Sequence, residues 1–208
     1  DLFDDYAETF DRDLVNDLNY VVPQLIENAV SAYLTTCPCS TAPPFERVLD
    51  LGCGTGLIAE AIRPLTTHIT GVDLSSKMLE IAISANRIEE SIVSDMTDFL
   101  KPSKNRDKFD LIVCGDALVY LGALGDVFNG LSHQLVDGGI FCFTVEHLIE
   151  GDFALKPTGR YAHNEKYVTD LLTRSGQTVL NTSAIIPRRD SNKQISGRLF
   201  LSKNCPPG

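Results

Sequence analysis

The sequence predicts an α/β fold: a mostly parallel sheet with packed helices, an antiparallel hairpin at one edge, and a helical extension in front. Three observations predict it. Strand-like and helix-like segments alternate from Arg47 to Val145, and such alternation implies right-handed βαβ units and a parallel sheet. A strand-to-helix turn carries three glycines in five positions, Gly52, Gly54 and Gly56. After the last helix, two strand-like runs follow with no helix between them, and strands joined by a short loop pair antiparallel.

At 208 residues the chain is one domain, or one domain with a helical extension. Over Asp11 to Tyr33, Leu14, Leu18, Val21, Val22, Leu25, Ile26, Ala29 and Val30 recur at three- and four-residue steps. That spacing predicts a helix, kinked or divided at Pro23. Thr35 to Pro44 holds three prolines and two cysteines and reads as a linker. Residues 1–44 are therefore expected to form a helical cap or lid with its linker, and 45–208 the binding domain.

Strands are expected at Arg47 to Leu51, His68 to Val72, Ser91 to Val93, Phe109 to Cys114 and Ile140 to Val145. Helices are expected at Gly56 to Arg63, Leu74 to Ala85, Leu124 to Leu135 and Glu165 to Arg174. Ser75 or Ser76 suits an N-terminal cap for the second of these. The hairpin should run from Thr178 to Ile186 and from Ile195 to Leu201, around a polar turn at Arg188 to Lys193. Glu150 to His163 reads as a long loop.

Composition excludes several functions. Net charge is −10, whereas nucleic-acid binding draws on a basic face. No segment holds the roughly 18 continuous apolar residues of a membrane helix. The opening Asp1-Leu2-Phe3-Asp4-Asp5 is not a signal peptide. It also lacks Met, which suggests a processed terminus or a domain cut from a longer protein. Cys53, Cys114 and Cys142 fall at or inside predicted strands and read as small buried hydrophobes of a reducing, cytoplasmic protein. Cys37-Pro38-Cys39 lacks a zinc-knuckle spacer, and His68, His133, His147 and His163 lack metal-ligand spacing, so no metal is expected.

The glycine turn between a strand and a helix is a nucleotide-binding corner. Asp73, ending the second strand, can accept hydrogen bonds from ribose hydroxyls. Asp95-Met96 follows the third strand and suits an adenine. Gly115-Asp116 follows the fourth, beside the glycine corner. A dinucleotide fingerprint wants one more residue before its third glycine. This spacing counts against an NAD-dependent oxidoreductase, as does the terminal hairpin.

These blocks resemble class I S-adenosylmethionine-dependent methyltransferases: VLDLGCGTG at 48–56, GVDLSSKML at 71–79, SDMTDF at 94–99, FDLIVCGDAL at 109–118 and LVDGGIFCFTVE at 135–146. The resemblance implies a three-layer Rossmann-like fold, with a seven-stranded sheet in the order 3-2-1-4-5-7-6 and strand 7 antiparallel. It implies S-adenosylmethionine as cofactor. The implied contacts are Asp50, Gly52, Cys53, Gly54 and Gly56 at the methionine end, and Asp73, Leu74 and Met78 at the ribose. Asp95 and Met96 would hold the adenine, and Gly115 and Asp116 would line the opposite wall.

The N-terminal Asp5-Tyr6-Ala7-Glu8-Thr9-Phe10-Asp11, together with GRYAHNEKYV at 159–168, is similar to methyltransferase domains that follow tetratricopeptide repeats in some bacterial proteins. Tyr6 and Phe10 are then expected as lid residues. A small-molecule acceptor is expected. The fourth strand lacks the Asn/Asp-Pro-Pro-aromatic tetrad of amino-methylating DNA enzymes, and no Pro-Cys nucleophile stands there.

Acceptor groups should come from loops at the strand carboxyl ends. His163 is the expected general base, since its unperturbed pKa lies near neutrality. Arg160 is expected to bind a carboxylate or phosphate, with Tyr161 between them. Two other readings stay open: an NAD-dependent oxidoreductase, and a non-catalytic S-adenosylmethionine-binding or interaction domain.

Overall fold

Strands that read as continuous apolar runs belong where both faces of a sheet are covered. The computed structural model describes residues 20–36, 43–102, 108–190 and 193–205, and it places those runs at the sheet centre. β1 (Val48–Leu51) and β4 (Phe109–Cys114) lie side by side, almost wholly buried. β2 (Ile69–Asp73) flanks β1, and β3 (Glu90–Val93) forms an exposed edge. On the other side come β5 (Leu135–Leu148), β11 (Gly197–Asn204) and β8 (Gln177–Ile185), giving the order β3-β2-β1-β4-β5-β11-β8. β11 runs antiparallel to both neighbours. With β8 and β11 counted as sixth and seventh, this is the expected order 3-2-1-4-5-7-6.

The strand count differs from the expected seven. Within Glu150 to His163, expected as a loop, β6 (Phe153–Leu155) and β7 (Tyr161–Asn164) form a hairpin. β7 then adds in parallel to the end of β5, so the sheet has nine strands. The polar turn after β8 contains a separate two-stranded ribbon, β9 (Arg189–Asp190) with β10 (Lys193–Gln194).

Side-chain alternation along the strands builds two cores. Leu111 and Val113 of β4 pack on one face; Ile112 and Cys114 pack on the other. The first face receives α1 (Val22–Thr36), α2 (Leu57–Ile62) and α3 (Ser76–Ser84). The second receives α4 (Met96–Phe99), α5 (Gly125–Gln134) and α6 (Glu165–Arg174). A phenylalanine stack runs through the second core. The Phe141 and Phe143 rings lie 4.3 Å apart, Phe143 and Phe200 5.1 Å apart, and Phe128 meets Phe143 edge-on at 5.4 Å. Such pairs add to the burial of their area.

Helix α1 begins at Val22, at the break expected at Pro23, which stands in its first turn, where a missing N–H costs nothing. Val22, Ile26 and Val30 recur at four-residue steps and are fully buried, so α1 is part of the core. Residues 11–19 lie outside the described residues. No described helix is long and apolar enough to cross a membrane.

Gly115, just past β4, is where α1 and α2 close on the sheet. A Cβ there would stand 2.2 Å from Ile58 Cδ1 and 2.7 Å from Val22 Cγ1. Overpacking of that kind costs about 1–3 kcal/mol. Gly115→Ala is therefore expected to lower stability by about that amount in urea denaturation; an unchanged midpoint would contradict the packing.

Candidate active site

The site grows from the carboxyl end of β1. Gly52 takes φ +73°, a left-handed conformation that glycine adopts without strain. The amides of Gly52 and Cys53 both donate to the Val72 carbonyl, at 2.8 and 3.1 Å. A Cβ on Gly52 would come within 2.5 Å of Ala117 Cβ. Gly52, Cys53 and Gly54 line the cavity, and the missing Cβ of Gly52 also lets the turn close on Ala117. Gly56 caps α2, and its missing Cβ makes room for Arg87 and Ala82; it lies outside the cavity lining.

Asp73 fastens this turn to the next strand. Its Oδ2 accepts from the Gly54 amide at 2.8 Å, and its Oδ1 from the Ser75 amide at 2.9 Å. Each oxygen keeps a further lone pair. Ser75 caps α3 by accepting from the Met78 amide at 3.2 Å. That cap brings Met78 into the lining, with exposed Leu74 beside it.

Asp95 caps α4. Its Oδ1 accepts from the amides of Thr97 (2.7 Å) and Asp98 (3.3 Å) and from the Thr97 hydroxyl. The hydroxyl bond is the main reason its carboxyl sits below the usual range. Among the described residues every bond to this side chain falls on Oδ1, so Oδ2 keeps its acceptor capacity. Met96 lines the same end.

Asp50 is fully buried beneath the cradle, outside its lining, and neither carboxylate oxygen has a hydrogen-bond partner among the described residues. Burial, with repulsion from Asp73, pushes its carboxyl up to about 7, despite the nearby Ala59 amide. A buried acid in this state favours an incoming cation.

The far wall holds an ion cluster. Asp116 has φ +56°, and its amide donates to Thr144 Oγ1 at 3.0 Å. Both its oxygens accept from Arg188 Nη1, at 2.5 Å each, while Arg188 Nη2 donates to Glu146. Arg188 is 1% exposed. Burial raises the Asp116 carboxyl and Arg188 opposes that rise. Tyr20 completes the wall; its phenol is pushed well above its usual range by burial, then by the charges of Asp116 and Asp50. It therefore stays protonated and able to donate.

The expected catalytic trio is divided. Arg160 lines the cavity, its guanidinium carbon 6.0 Å from the Tyr120 ring centroid. Tyr161 and His163 lie outside the lining. His163 is fully buried, with Nε2 2.9 Å from the Gly122 carbonyl oxygen. That nitrogen must carry a proton, and burial lowers the imidazole pKa. The ring packs beside Phe153 and Tyr167. The expectation of an accessible general base at His163 is corrected on this ground. Where a loop was expected, Tyr161–Asn164 is a strand, and its alternation turns 161 and 163 away from the cavity.

Tyr6 and Phe10 lie outside the described residues. Tyr20, Thr55 and Arg188 belong to the site or its wall and were not foreseen. Tyr20 lies inside the apolar periodicity of Asp11 to Tyr33, off its recurring positions, two residues before α1 begins. Arg188 gives no local signal, because its partners are 72 and 42 residues away.

Known proteins place this geometry. The sequence matches the methyltransferase domain family over residues 44–180. It is 25% identical over 147 residues to a ubiquinone biosynthesis O-methyltransferase of Aeromonas salmonicida, covering 64% of this chain and 61% of that one. A solved S-adenosylmethionine-dependent methyltransferase from Clostridium acetobutylicum has a TM-score of 0.69 at 18% identity, over 99% of this chain and 100% of that one. N-methyltransferase NodS from Bradyrhizobium japonicum, solved with S-adenosyl-L-homocysteine, has a TM-score of 0.66 at 18% identity, over 95% and 97%. The cradle at the end of β1 thus lies within the matched stretch, and the chain belongs to the methyltransferase domain family.

Proposed function

We propose that this chain transfers a methyl group from S-adenosylmethionine to a small-molecule acceptor. The observation that carries this reading is the buried, unpartnered carboxylate of Asp50 under a cradle rimmed by Asp73 and Asp95. Three carboxylates suit a ligand with a cationic end and a hydroxyl-rich middle. Asp50 would face the ammonium of the methionine end, and Asp73 the ribose hydroxyls. Asp95 Oδ2 would accept from the adenine amino group, with Met96 against the ring. When bound, the cofactor supplies an electrophilic methyl on a sulfonium.

The chain's own part is placement. Tyr20, Ala117, Tyr120, Leu121 and Arg160 line the cavity beyond Asp116 and would align the acceptor. Orientation alone supplies a large share of such a rate. Asp116 adds negative charge near the transferring group, and Arg188 fixes its position. With His163 inside the fold, Tyr20 and Tyr120 are lining hydroxyls that would hydrogen-bond an acceptor. A small-molecule acceptor agrees with the relative that acts in ubiquinone biosynthesis and with the acidity of the chain.

Three outcomes are expected. S-adenosylhomocysteine should raise the melting temperature and NAD should not; the reverse result would return the site to an oxidoreductase. Asp73→Ala should weaken S-adenosylhomocysteine binding about ten- to hundredfold by calorimetry, since a charge-assisted bond is worth about 1.5–3 kcal/mol.

The third outcome concerns pH. The free protein holds a proton on Asp50 until about pH 7, and a bound ammonium favours the ionised form. Binding should therefore release a proton, and affinity should rise up to about tenfold from pH 6 to pH 8. Asp50→Asn should flatten that dependence. Equal affinity across this range in the unmodified protein would remove Asp50 from the site.

A further inference from the structure

Two arginines stand near two acids at the acceptor end of the cavity, and the acids are already taken. Arg188 Nη1 holds both oxygens of Asp116, and Nη2 holds Glu146. Burial opposes the Arg160 charge, but the Tyr120 phenol, by charge and hydrogen bond, and then Asp116 and Glu146 at longer range, hold its pKa above the usual value. Among the described residues no carboxylate oxygen lies within the 4.0 Å of an ion pair with it. Its neighbour is instead the ring of Tyr120.

The backbone fixes Arg160 in this place. The Lys156 amide donates to the Arg160 carbonyl at 2.8 Å, and the Gly159 amide to the Lys156 carbonyl at 3.0 Å. This closes the turn between β6 and β7. A single phenol oxygen cannot serve a fork of five N–H donors, and that planar fork matches carboxylate or phosphate. Apolar surface lies beside it. Tyr120 is 46% exposed, and Leu121 and Ala117 line the cavity with it.

We infer that the methyl acceptor is an oxyanion-bearing molecule with an apolar body, seated by its carboxylate or phosphate on Arg160 and by that body against Tyr120 and Leu121. This rests on the methyltransferase reading above and names the acceptor class for it. The hairpin β6–β7 is then an acceptor-recognition element added to the sheet.

The test titrates benzoate, phenyl phosphate and methyl benzoate into the protein loaded with S-adenosylhomocysteine, read by ligand-observed NMR. At least one anion should bind about tenfold or more tightly than the neutral ester; whichever is tighter identifies the carboxylate or the phosphate class. Arg160→Met should reduce the anions to the level of the ester. Arg160→Lys, which keeps the charge but loses the fork, should fall between, and a thermal melt of each variant checks its fold.

Equal or absent binding of the anions, or anion binding unchanged in Arg160→Met, overturns the inference. So does a loss of S-adenosylhomocysteine affinity in Arg160→Met with the acid-over-ester preference intact, because the anion on Arg160 would then be the cofactor's own carboxylate. If S-adenosylhomocysteine fails to bind the unmodified protein, the methyltransferase reading itself falls and takes this inference with it.

Discussion

The buried guanidinium of Arg188 is the interaction on which the rest of the site depends. It joins the end of β4, through Asp116, to the end of β5, through Glu146. Neither acid would be tolerable there alone. Leaving a buried charge unpaired costs about 3–5 kcal/mol, a large share of a domain's stability. A lysine could not replace it, because one compact ammonium cannot serve both oxygens of one acid and reach the second acid. The positive φ of Asp116 belongs to the same arrangement, since the backbone must turn sharply to present both oxygens to Arg188.

Acid concentrates in the cradle for a different reason. Asp73 lines the cavity and is also structural, because its two oxygens hold the amides of Gly54 and Ser75 and so set the turn. Asp95 likewise ends one loop and starts a helix. Asp50 has no such partner, and its raised pKa is the electrostatic consequence. The site therefore combines two carboxylates stabilised by the fold with one that the fold destabilises. Only the last gains much from an incoming cation, which makes it the group most sensitive to occupancy.

Local patterns made the sheet legible in the sequence. Apolar runs such as Phe109–Cys114 are unambiguous when both faces are buried, and the helix-free tail announced the antiparallel closure. The cradle residues were legible because each stands at a strand end with a turn signal beside it. What failed was information carried across distance. Tyr161-Ala162-His163 is too short and polar to read as a strand until β5 offers it an edge. His163 then finds its partner in the Gly122 carbonyl, which no spacing rule could supply. Arg188 sat in a run of polar residues that resembles a solvated turn, and only the tertiary fold puts acids around it.

The position of Arg188 also gives the antiparallel tail a role beyond closing the sheet. Its neighbour Pro187 accepts the Val21 amide at 3.1 Å, next to Tyr20 in the cavity wall. One short segment after β8 thus holds three things at once: the start of α1, the aspartate after β4 and the glutamate of β5. Were the seventh strand, β11, also parallel, a crossover element would have to follow β8 and would carry this segment away from the cavity. The reversal at the tail keeps it at the carboxyl edge of β4 and β5, where ligands of open α/β sheets bind. The topology that closes the fold is therefore also what delivers the cation that the acceptor end of the site requires.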